Sequence, residues 1–382
     1  MTKPADTMWN PEPHSRGKHH ILRRYIQAWL PIMSKANPRI IIVDAFAGPG
    51  RYLGGRGGVA ANLPKPWTRS GADRPRHSPG WNMRLGLPER RITQNELVKI
   101  GFSIDDQQEL SQADELRIVR LAAELGYDSA WTPAHADAAA FDRCLAWHQV
   151  SGLPTGISVV PASGQTAAFY AQHARRVWDG TGGKFVLGVG SGQMVQAARG
   201  MRTFMAELQR LLPPELPVYV AALGPRMLRL AAEVADGVAL NWCSAARVAW
   251  SRVEVERAAS QAGRPAPVIA EYIRTAVDPD RAAARKILGQ NALRYALGPI
   301  AYRQHFERMG FAEELEGLQS AGVEPSPELL SAVGAWGAPG EVRSQFQQLA
   351  QDLDVAIVRV LVSRPGDAES ARWVLEECRP AE

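Results

Sequence analysis

The sequence predicts an α/β protein whose main part is a (β/α)8 TIM barrel, and three segments indicate this fold most clearly. They are residues 185–192, 217–225 and 235–241, each a short apolar run that reaches a glycine or an asparagine. A helical pattern follows each run, which is typical of a parallel strand buried on both faces. Eight such units make a closed barrel of roughly 250 residues plus insertions, which fits residues 97–382 better than an open sheet does.

Strands and helices alternate regularly from residue 97 onward. The first predicted helix, residues 107–125, places Ile118, Leu121, Ala122 and Leu125 at the i, i+3, i+4, i+7 spacing of one helical face. The predicted strands are residues 97–104, 128–135, 155–160, 184–189, 218–222, 237–241, 268–273 and 355–362. The further predicted helices are residues 138–148, 166–178, 194–212, 227–235 and 367–378.

About 80 residues separate predicted strands seven and eight, and they contain helical runs at 280–294 and 302–318. A connection of this length predicts an insertion at the catalytic rim, where it would shape the substrate pocket. Tyr302 and His305 in this insertion are candidates for substrate contact or for helix packing.

The fold assigns each candidate residue to one end of the barrel, because residues just after a strand lie at the catalytic end and residues just before one lie at the stabilising end. Gly126, Asp179, Gly180 and Asp236 precede strands, and we interpret them as turn and cap residues. The candidates for the catalytic end are His135, Ser158, Val159, Gly190, Ser191, Gly192, Gln193, Ala222, Leu223, Gly224 and Asn241. Glycines in such turns let backbone amides approach an anion.

The composition is that of an ordinary soluble globular protein, with 46% hydrophobic and 22% charged residues. No apolar run approaches the roughly 18 residues of a membrane span, and the first residues lack a signal-peptide pattern. Cys144, Cys243 and Cys378 are odd in number and have no metal-ligand spacing. We therefore expect a reduced, cytoplasmic protein that holds no metal and does not contact a membrane.

The basic character of the chain is confined to residues 1–96. This segment holds 16 Lys and Arg against 6 Asp and Glu, whereas residues 97–382 hold 28 against 33. A basic segment can contact nucleic acid or another anionic surface, but no aromatic stacking module accompanies this one. We expect a solvated basic segment rather than a nucleic-acid partner.

Residues 60–96 are rich in Pro, Gly and Arg and show no sustained periodicity, so we predict an irregular linker there. Before the linker, residues 12–30 predict an amphipathic helix and residues 40–44 a buried strand. The sequence thus predicts three parts: a head at 1–59, the linker at 60–96 and the barrel at 97–382.

Three motifs in the head are Pro13-His-Ser-Arg-Gly-Lys-His19, Tyr25-Ile-Gln-Ala-Trp-Leu30 and the run from Asp44 to Tyr52. They resemble the beginning of the three-Cys-motif partner proteins (TcmP). The glycine element after Asp44 is also similar to the nucleotide-binding turn of S-adenosylmethionine methyltransferases. The likeness covers only about 60 residues, whereas a doubly wound domain needs on the order of 150, so we expect a truncated or fused remnant.

Several motifs follow one another along residues 97–380. They run from Ala122 to Trp131, Phe185 to Gly192, Pro217 to Pro225, Asp278 to Arg285, Tyr302 to Phe306, and Gly337 to Val342. Together and in this order they resemble the bacterial luciferase-like flavin and deazaflavin oxidoreductases. The last group is most similar to the branch that uses the deazaflavin coenzyme F420.

The resemblance implies that F420, or FMN as the alternative, lies across the barrel mouth. A deazaflavin transfers a hydride and does not activate oxygen as a flavin does. The family carries a non-prolyl cis peptide bond at the end of strand three, which by position falls at Ser158–Val159. The resemblance also implies that the turns at 190–193 and 222–224 contact the phosphate or the ring of the cofactor.

His135 lies where the sugar-phosphate dehydrogenases of this family place an Asp-His pair near the cofactor. The resemblance therefore implies a catalytic histidine that donates a proton or a hydrogen bond. Ala134 and Gln193 stand where that branch carries carboxylates, which argues against glucose-6-phosphate and leaves His135 without a partner in the sequence. A histidine that only packs at the rim is the alternative.

We therefore expect an F420-dependent oxidoreductase that acts on a small organic substrate. One alternative is an FMN-dependent luciferase-like monooxygenase that uses O2 and a partner flavin reductase. Another is a barrel that binds a cofactor or ligand without catalysis. The resemblance also implies a homodimer.

Overall fold

The structure is a computed structural model, and it describes residues 51–52, 55–56, 98–319 and 323–381. The chain divides into two units, Met1–Pro88 and Glu89–Glu382. In the first unit, Arg51–Tyr52 pairs antiparallel with Gly55–Arg56. The predicted helix at 12–30, the strand at 40–44 and the linker at 60–96 lie outside the described residues, so these predictions and the likeness to the three-Cys-motif partner proteins remain predictions.

The second unit is a closed barrel of parallel strands, which confirms the predicted (β/α)8 fold. In residues 98–319 and 323–381 its strands are β1 (Lys99–Ser103), β2 (Ser129–Thr132), β3 (Thr155–Pro161), β4 (Phe185–Gly190), β5 (Val218–Ala221), β6 (Gly237–Asn241), β7 (Val268–Val277), β8 (Gly334–Gly337) and β9 (Val355–Leu361). The order is β8-β7-β9-β1-β2-β3-β4-β5-β6, and β6 pairs with β7 to close the ring. Strand β8 is extra and lies outside the ring of eight.

Helices connect these strands over the outer surface. They are α1 (Gln112–Glu124), α2 (Ala139–Ser151), α3 (Ala167–Gly180), α4 (Ala197–Leu211), α5 (Pro225–Val234), α6 (Ala245–Gln261), α7 (Arg281–Ala296), α8 (Ile300–Phe306), α9 (Ala312–Gly317), α10 (Pro327–Val333), α11 (Arg343–Ala350) and α12 (Ala368–Glu377). The side chains of Ser111, Thr166 and Ser244 accept hydrogen bonds from amides in the first turns of α1, α3 and α6, which explains where these helices begin.

The lower interior of the barrel is filled by large aromatic side chains. Trp131 and Tyr219 pack with Tyr272 in one buried cluster. Glycines on neighbouring strands make room for them: a Cβ at Gly156 would lie 2.4 Å from the Trp131 ring, and one at Gly237 would lie 2.3 Å from the Tyr219 ring. Among the described residues, these aromatic side chains fill this end of the barrel, so we expect the site at the carboxyl ends of the strands.

The insertion between β7 and β9 contains α7 to α10 and a π-helical turn at Glu307–Phe311. Its strand β8 pairs with the last part of β7, from Gly334 opposite Arg274 to Gly337 opposite Val277. A second buried cluster, which includes Trp242, Phe306 and Trp336, holds the insertion against the end of the barrel. The insertion therefore extends one wall of the barrel beyond the end of β6.

A search for helices able to cross a bilayer, made over the described residues, finds none with sufficient length and apolar character.

Candidate active site at the barrel mouth

Two arginines lie inside the barrel near its mouth. Side chains alternate between the two faces of a strand, so Arg274 lies on the same face of β7 as the interior residue Tyr272. On β9, Arg359 follows the interior residue Ile357 by the same spacing. Both arginines are buried, with 4% and 7% of their surface exposed.

Arg359 is neutralised by a carboxylate from the neighbouring strand connection. Its guanidinium forms an ion pair with Asp105 and donates to Ser103 Oγ at 2.9 Å. Gln108 Nε2 donates to the other oxygen of Asp105 at 2.9 Å, and Gln108 Oε1 accepts from the amide of Val362 at 2.9 Å. This network joins the first and last strands of the ring.

Arg274 is held by an amide and by aromatic faces. Its Nη1 donates to Asn241 Oδ1, and Asn241 Nδ2 donates to the hydroxyl of Tyr302 at 2.6 Å. The guanidinium carbon lies 4.0 Å from the centre of the Trp242 ring and 5.1 Å from that of Tyr295. Burial lowers the pKa of Arg274 and raises the pKa of Tyr302 to about 12, so Tyr302 keeps its proton at neutral pH.

The opposite side of the mouth is made of small residues around the end of β3. The register of β3 against β4 shifts between Ile157 and Val160, and the Ser158–Val159 bond is cis, at the position that the family resemblance implied. A Cβ at Gly188 would lie 2.9 Å from Val159 Cγ1, and one at Gly190 would lie 2.7 Å from Val159 Cγ2. The glycines of β4 thus make room for the Val159 side chain inside the barrel.

The turn after β4 presents backbone amides at the same rim. The amide of Gln193 donates to Ser163 Oγ at 3.0 Å. The amides of Ser191 and Gly192 have no hydrogen-bond partner in the described part of the chain. Gly192 has a φ of +57°, a left-handed conformation that favours glycine. These amides are therefore available to an acceptor at the mouth.

The turn after β5 has a similar arrangement. Ala222 is buried and its amide donates to Ala239 at 3.1 Å, so its side chain belongs to the wall. Gly224 is the N-cap of α5, and a Cβ there would have Arg308 Nη1 as its nearest neighbour, 3.9 Å away. Arg247 donates to the carbonyl of Leu223 at 2.7 Å, which fixes the turn.

His135 lies on the exposed rim after β2, with a side chain that is 75% exposed. Its Nε2 is 3.5 Å from Asp106 Oδ2, in the connection after β1. The sequence left this histidine without a partner because the two residues are 29 positions apart. The structure supplies an acidic neighbour, although an exposed pair of this kind contributes little free energy.

A polar cluster behind the mouth fixes the turn after β6. Glu271 Oε1 accepts from the amide of Cys243 at 2.6 Å, and His305 Nε2 donates to the carbonyl of Trp242 at 3.0 Å. Burial raises the pKa of Glu271 to about 8 and lowers the pKa of His305 to about 4, so both are neutral at pH 7. They hold Trp242, which has a left-handed φ of 58°, against Arg274.

The predicted site residues fall into four groups. Val159 lies against Gly190 at the start of the turn at 190–193, with Ser158 beside Gly188 of the same strand. Residues 222–224 form the turn after β5, and Asn241 belongs to the Arg274 network. No hydrogen bond or ion pair among the described residues joins His135 to any other group; its one such partner is Asp106. Sequence reasoning weighed Tyr302 and His305 but missed several residues at the mouth: Ser103, Asp105, Asp106, Glu271, Arg274 and Arg359. The available signal was a charged residue inside a buried strand pattern, as at 271, 274 and 359, because such residues are rarely buried without a partner.

Metal ligation has no support among the residues that the structure describes, since no group of three or more His, Cys, Asp or Glu side chains is placed to hold an ion. The three cysteines are all buried and free.

The barrel is similar in sequence and in fold to known oxidoreductases. Residues 194–355 match the family described as luciferase-like monooxygenase. The 5,10-methylenetetrahydromethanopterin reductase of Archaeoglobus fulgidus is 24% identical over 303 residues, 65% of this chain and 88% of that protein. The coenzyme F420-dependent tetrahydromethanopterin reductase of Methanopyrus kandleri superimposes with a TM-score of 0.56 at 16% identity, covering 73% of this chain and 98% of that one.

A flavin enzyme shares the fold as well. The oxygenating constituent of the 3,6-diketocamphane monooxygenase of Pseudomonas putida, solved with FMN, has a TM-score of 0.51 at 13% identity and covers 74% of this chain and 98% of its own. These structures show a common fold. Residues 194–355 thus match the luciferase-like family model and the barrel has the same fold, which confirms the resemblance that the motifs indicated.

Proposed function

We propose that this protein is an oxidoreductase that transfers a hydride between coenzyme F420 and a small organic substrate. The supporting observation is the two-sided barrel mouth. One side offers an apolar surface at Val159 beside the amides of Ser191 and Gly192, and the other offers the polar groups of Asn241, Arg274 and Tyr302. The similarity to reductases whose names specify a methanopterin substrate or F420 supports the same class.

The residues at the mouth fit a deazaflavin in three respects. Val159 provides a partly exposed apolar contact for a flat ring. Its side chain packs on Gly188 and Gly190, where a Cβ atom would collide with it. The amides of Ser191 and Gly192, with those of Leu223 and Gly224, provide donors for a phosphate at two neighbouring turns. Asn241 provides a polar group at the opposite side. When bound, F420 supplies a carbon that accepts or releases a hydride.

In this proposal the chain orients the reactants and His135 handles a proton. Ser158 and Val159 support the ring, and the turns at 190–193 and 222–224 hold the phosphate. His135 is exposed at the rim with Asp106 beside it, so it can exchange protons with solvent and deliver one to the substrate or the reduced ring. The insertion that carries Tyr302 limits access of water to the polar side.

An FMN-dependent monooxygenase is the second candidate, because a flavin enzyme of this kind shares the fold. Reconstitution of the full chain with each cofactor separates the two. We expect F420 to bind at micromolar concentration, with a changed absorbance band, and FMN to bind at least tenfold more weakly. Tight binding of FMN with O2 consumption upon reduction, and no binding of F420, would replace the proposal with the monooxygenase.

A barrel that binds F420 without catalysis is the third alternative. Hydride transfer is therefore measured directly, as bleaching of the F420 absorbance when candidate alcohols and hydride donors are supplied. Reduction of F420 by at least one of them is expected.

A further inference from the structure

Arg274 is a buried positive charge for which the described residues provide no carboxylate partner. Only 4% of its surface is exposed. Arg359, at the same level of the barrel, is paired with Asp105. A buried charge is normally paired, because the loss of hydration must be compensated. The difference between the two arginines indicates that the partner of Arg274 comes with a ligand.

The groups around Arg274 stabilise its position without neutralising it. Trp242 and Tyr295 offer aromatic faces, which attract a guanidinium but carry no net charge. Glu271 lies on the opposite face of β7, where it accepts from the amide of Cys243. Burial raises the pKa of Glu271 to about 8, so its neutral form predominates at pH 7, and among the described residues it makes neither a hydrogen bond nor an ion pair with Arg274.

Asn241 orients a second donor at the same place. Its Oδ1 must face Arg274, because a guanidinium has only donors. Its Nδ2 therefore faces Tyr302, and the Tyr302 oxygen accepts that hydrogen bond at 2.6 Å. The hydroxyl proton of Tyr302 is then left without an acceptor among the described residues. Arg274 Nη2 and Nε likewise make no hydrogen bond within the described residues.

We infer that Arg274 and Tyr302 form a recognition site for an anionic group, a carboxylate or a phosphate, of a molecule that enters the barrel mouth. A planar carboxylate or a phosphate oxygen can accept from the guanidinium and from the hydroxyl together. The group belongs either to the substrate or to the cofactor. The site depends on the charge balance of the mouth and not on the identity of the cofactor.

Calorimetric titration of the full chain with benzoate and with inorganic phosphate, at low ionic strength and without F420, tests this site. We expect at least one of the two to bind once per chain. Arg274→Gln is expected to weaken that binding at least tenfold, Arg274→Lys to weaken it less, and Tyr302→Phe to weaken it about threefold. The control is Arg252→Gln, which removes a partly buried arginine that is paired with Asp354 at the other end of the barrel. We expect this variant to bind the anions as the wild type does. Near-ultraviolet circular dichroism verifies that each variant is folded.

Equal binding by the wild type and Arg274→Gln would overturn the inference, and so would the absence of binding of both anions to the wild type. A second titration with F420 assigns the source of the anion. If bound F420 blocks benzoate and phosphate and Arg274→Gln weakens F420, the anionic group is the cofactor's; if F420 and the anion bind together, it is the substrate's. If the wild type binds the anion but does not bind F420, the proposed function is contradicted and the Arg274 site remains supported.

Discussion

His135 is the proposed proton donor, and its exposed position beside Asp106 distinguishes it from the buried polar groups of the mouth. Replacement by Ala is expected to lower kcat roughly 100-fold, since a positioned general acid contributes about 10² to 10⁴ in rate. The dissociation constant for F420 should remain unchanged, because among the described residues His135 makes no hydrogen bond or ion pair with the turns that would hold the cofactor.

Asp106→Asn serves as the matched variant for this prediction. It keeps the size of the side chain and removes the acidic neighbour of His135, so we expect a smaller loss of kcat than in His135→Ala. Unchanged turnover of an active substrate by His135→Ala would show that this histidine packs at the rim and has no catalytic role.

Glu271 makes the stability of the protein depend on pH in a defined direction. Its pKa is raised from about 4.5 to about 8 by burial, so between these values the folded state holds a proton that the unfolded chain has lost. The stabilisation from the neutral carboxyl is present below pH 4.5 and is lost as the pH rises toward 8. Relative to Glu271→Gln, the wild type should lose about 1.4 kcal/mol of unfolding free energy per pH unit in this window.

Urea unfolding of both proteins at several pH values between 5 and 8 measures this difference. The exposed substitution Glu316→Gln is the control and should give a profile parallel to that of the wild type. Parallel profiles for the wild type and Glu271→Gln would show that the carboxyl is ionised in the folded protein.

The placement of single candidate residues at the barrel mouth was predictable from the sequence where position at the end of a strand decides it, as for Ser158, Gly190 and Asn241. Their partners were not. Asp106 lies 29 positions from His135, and Arg359 lies 254 positions from Asp105, so these pairs arise only when the barrel closes. No spacing rule in a single sequence relates residues so far apart.

At the level of elements, the contact between β1 and β9 depends on the Arg359 network. Replacing Asp105 by Asn keeps the shape but leaves a buried guanidinium without its charge partner, which we expect to destabilise the protein by about 3–5 kcal/mol. Urea unfolding measures the loss. Arg176→Gln, which breaks the exposed pair with Asp142, should be nearly neutral by comparison, and equal effects of the two substitutions would contradict this account.

The ring strands follow the predicted pattern because buried parallel strands are short apolar runs. The sequence prediction missed strand β8 and helices α6, α10 and α11. Strand β8 is only four residues long and includes two glycines, so its sequence has no strand periodicity, and pairing with β7 creates it. Helix α6 was not predicted because its buried face includes Ser251, Ala258 and Ala259, which weaken the apolar pattern.

For the whole molecule, the division of the chain predicts a protease-resistant core. The structure separates Met1–Pro88 from Glu89–Glu382, close to the change in charge and composition near residue 96. Brief trypsin digestion of the full chain should yield one stable fragment that begins between residues 60 and 98, identified by mass spectrometry. A resistant fragment that retains the first residues, or cleavage first within residues 98–319, would argue against separate units.

A crystal structure of the full chain soaked with F420 would show whether the barrel mouth binds a deazaflavin. We expect density for a flat ring against Val159, with a phosphate at the amides of Ser191, Gly192 and Gly224 and a polar ring edge toward Asn241. A mouth closed by side chains, with F420 absent or bound elsewhere, would contradict this expectation.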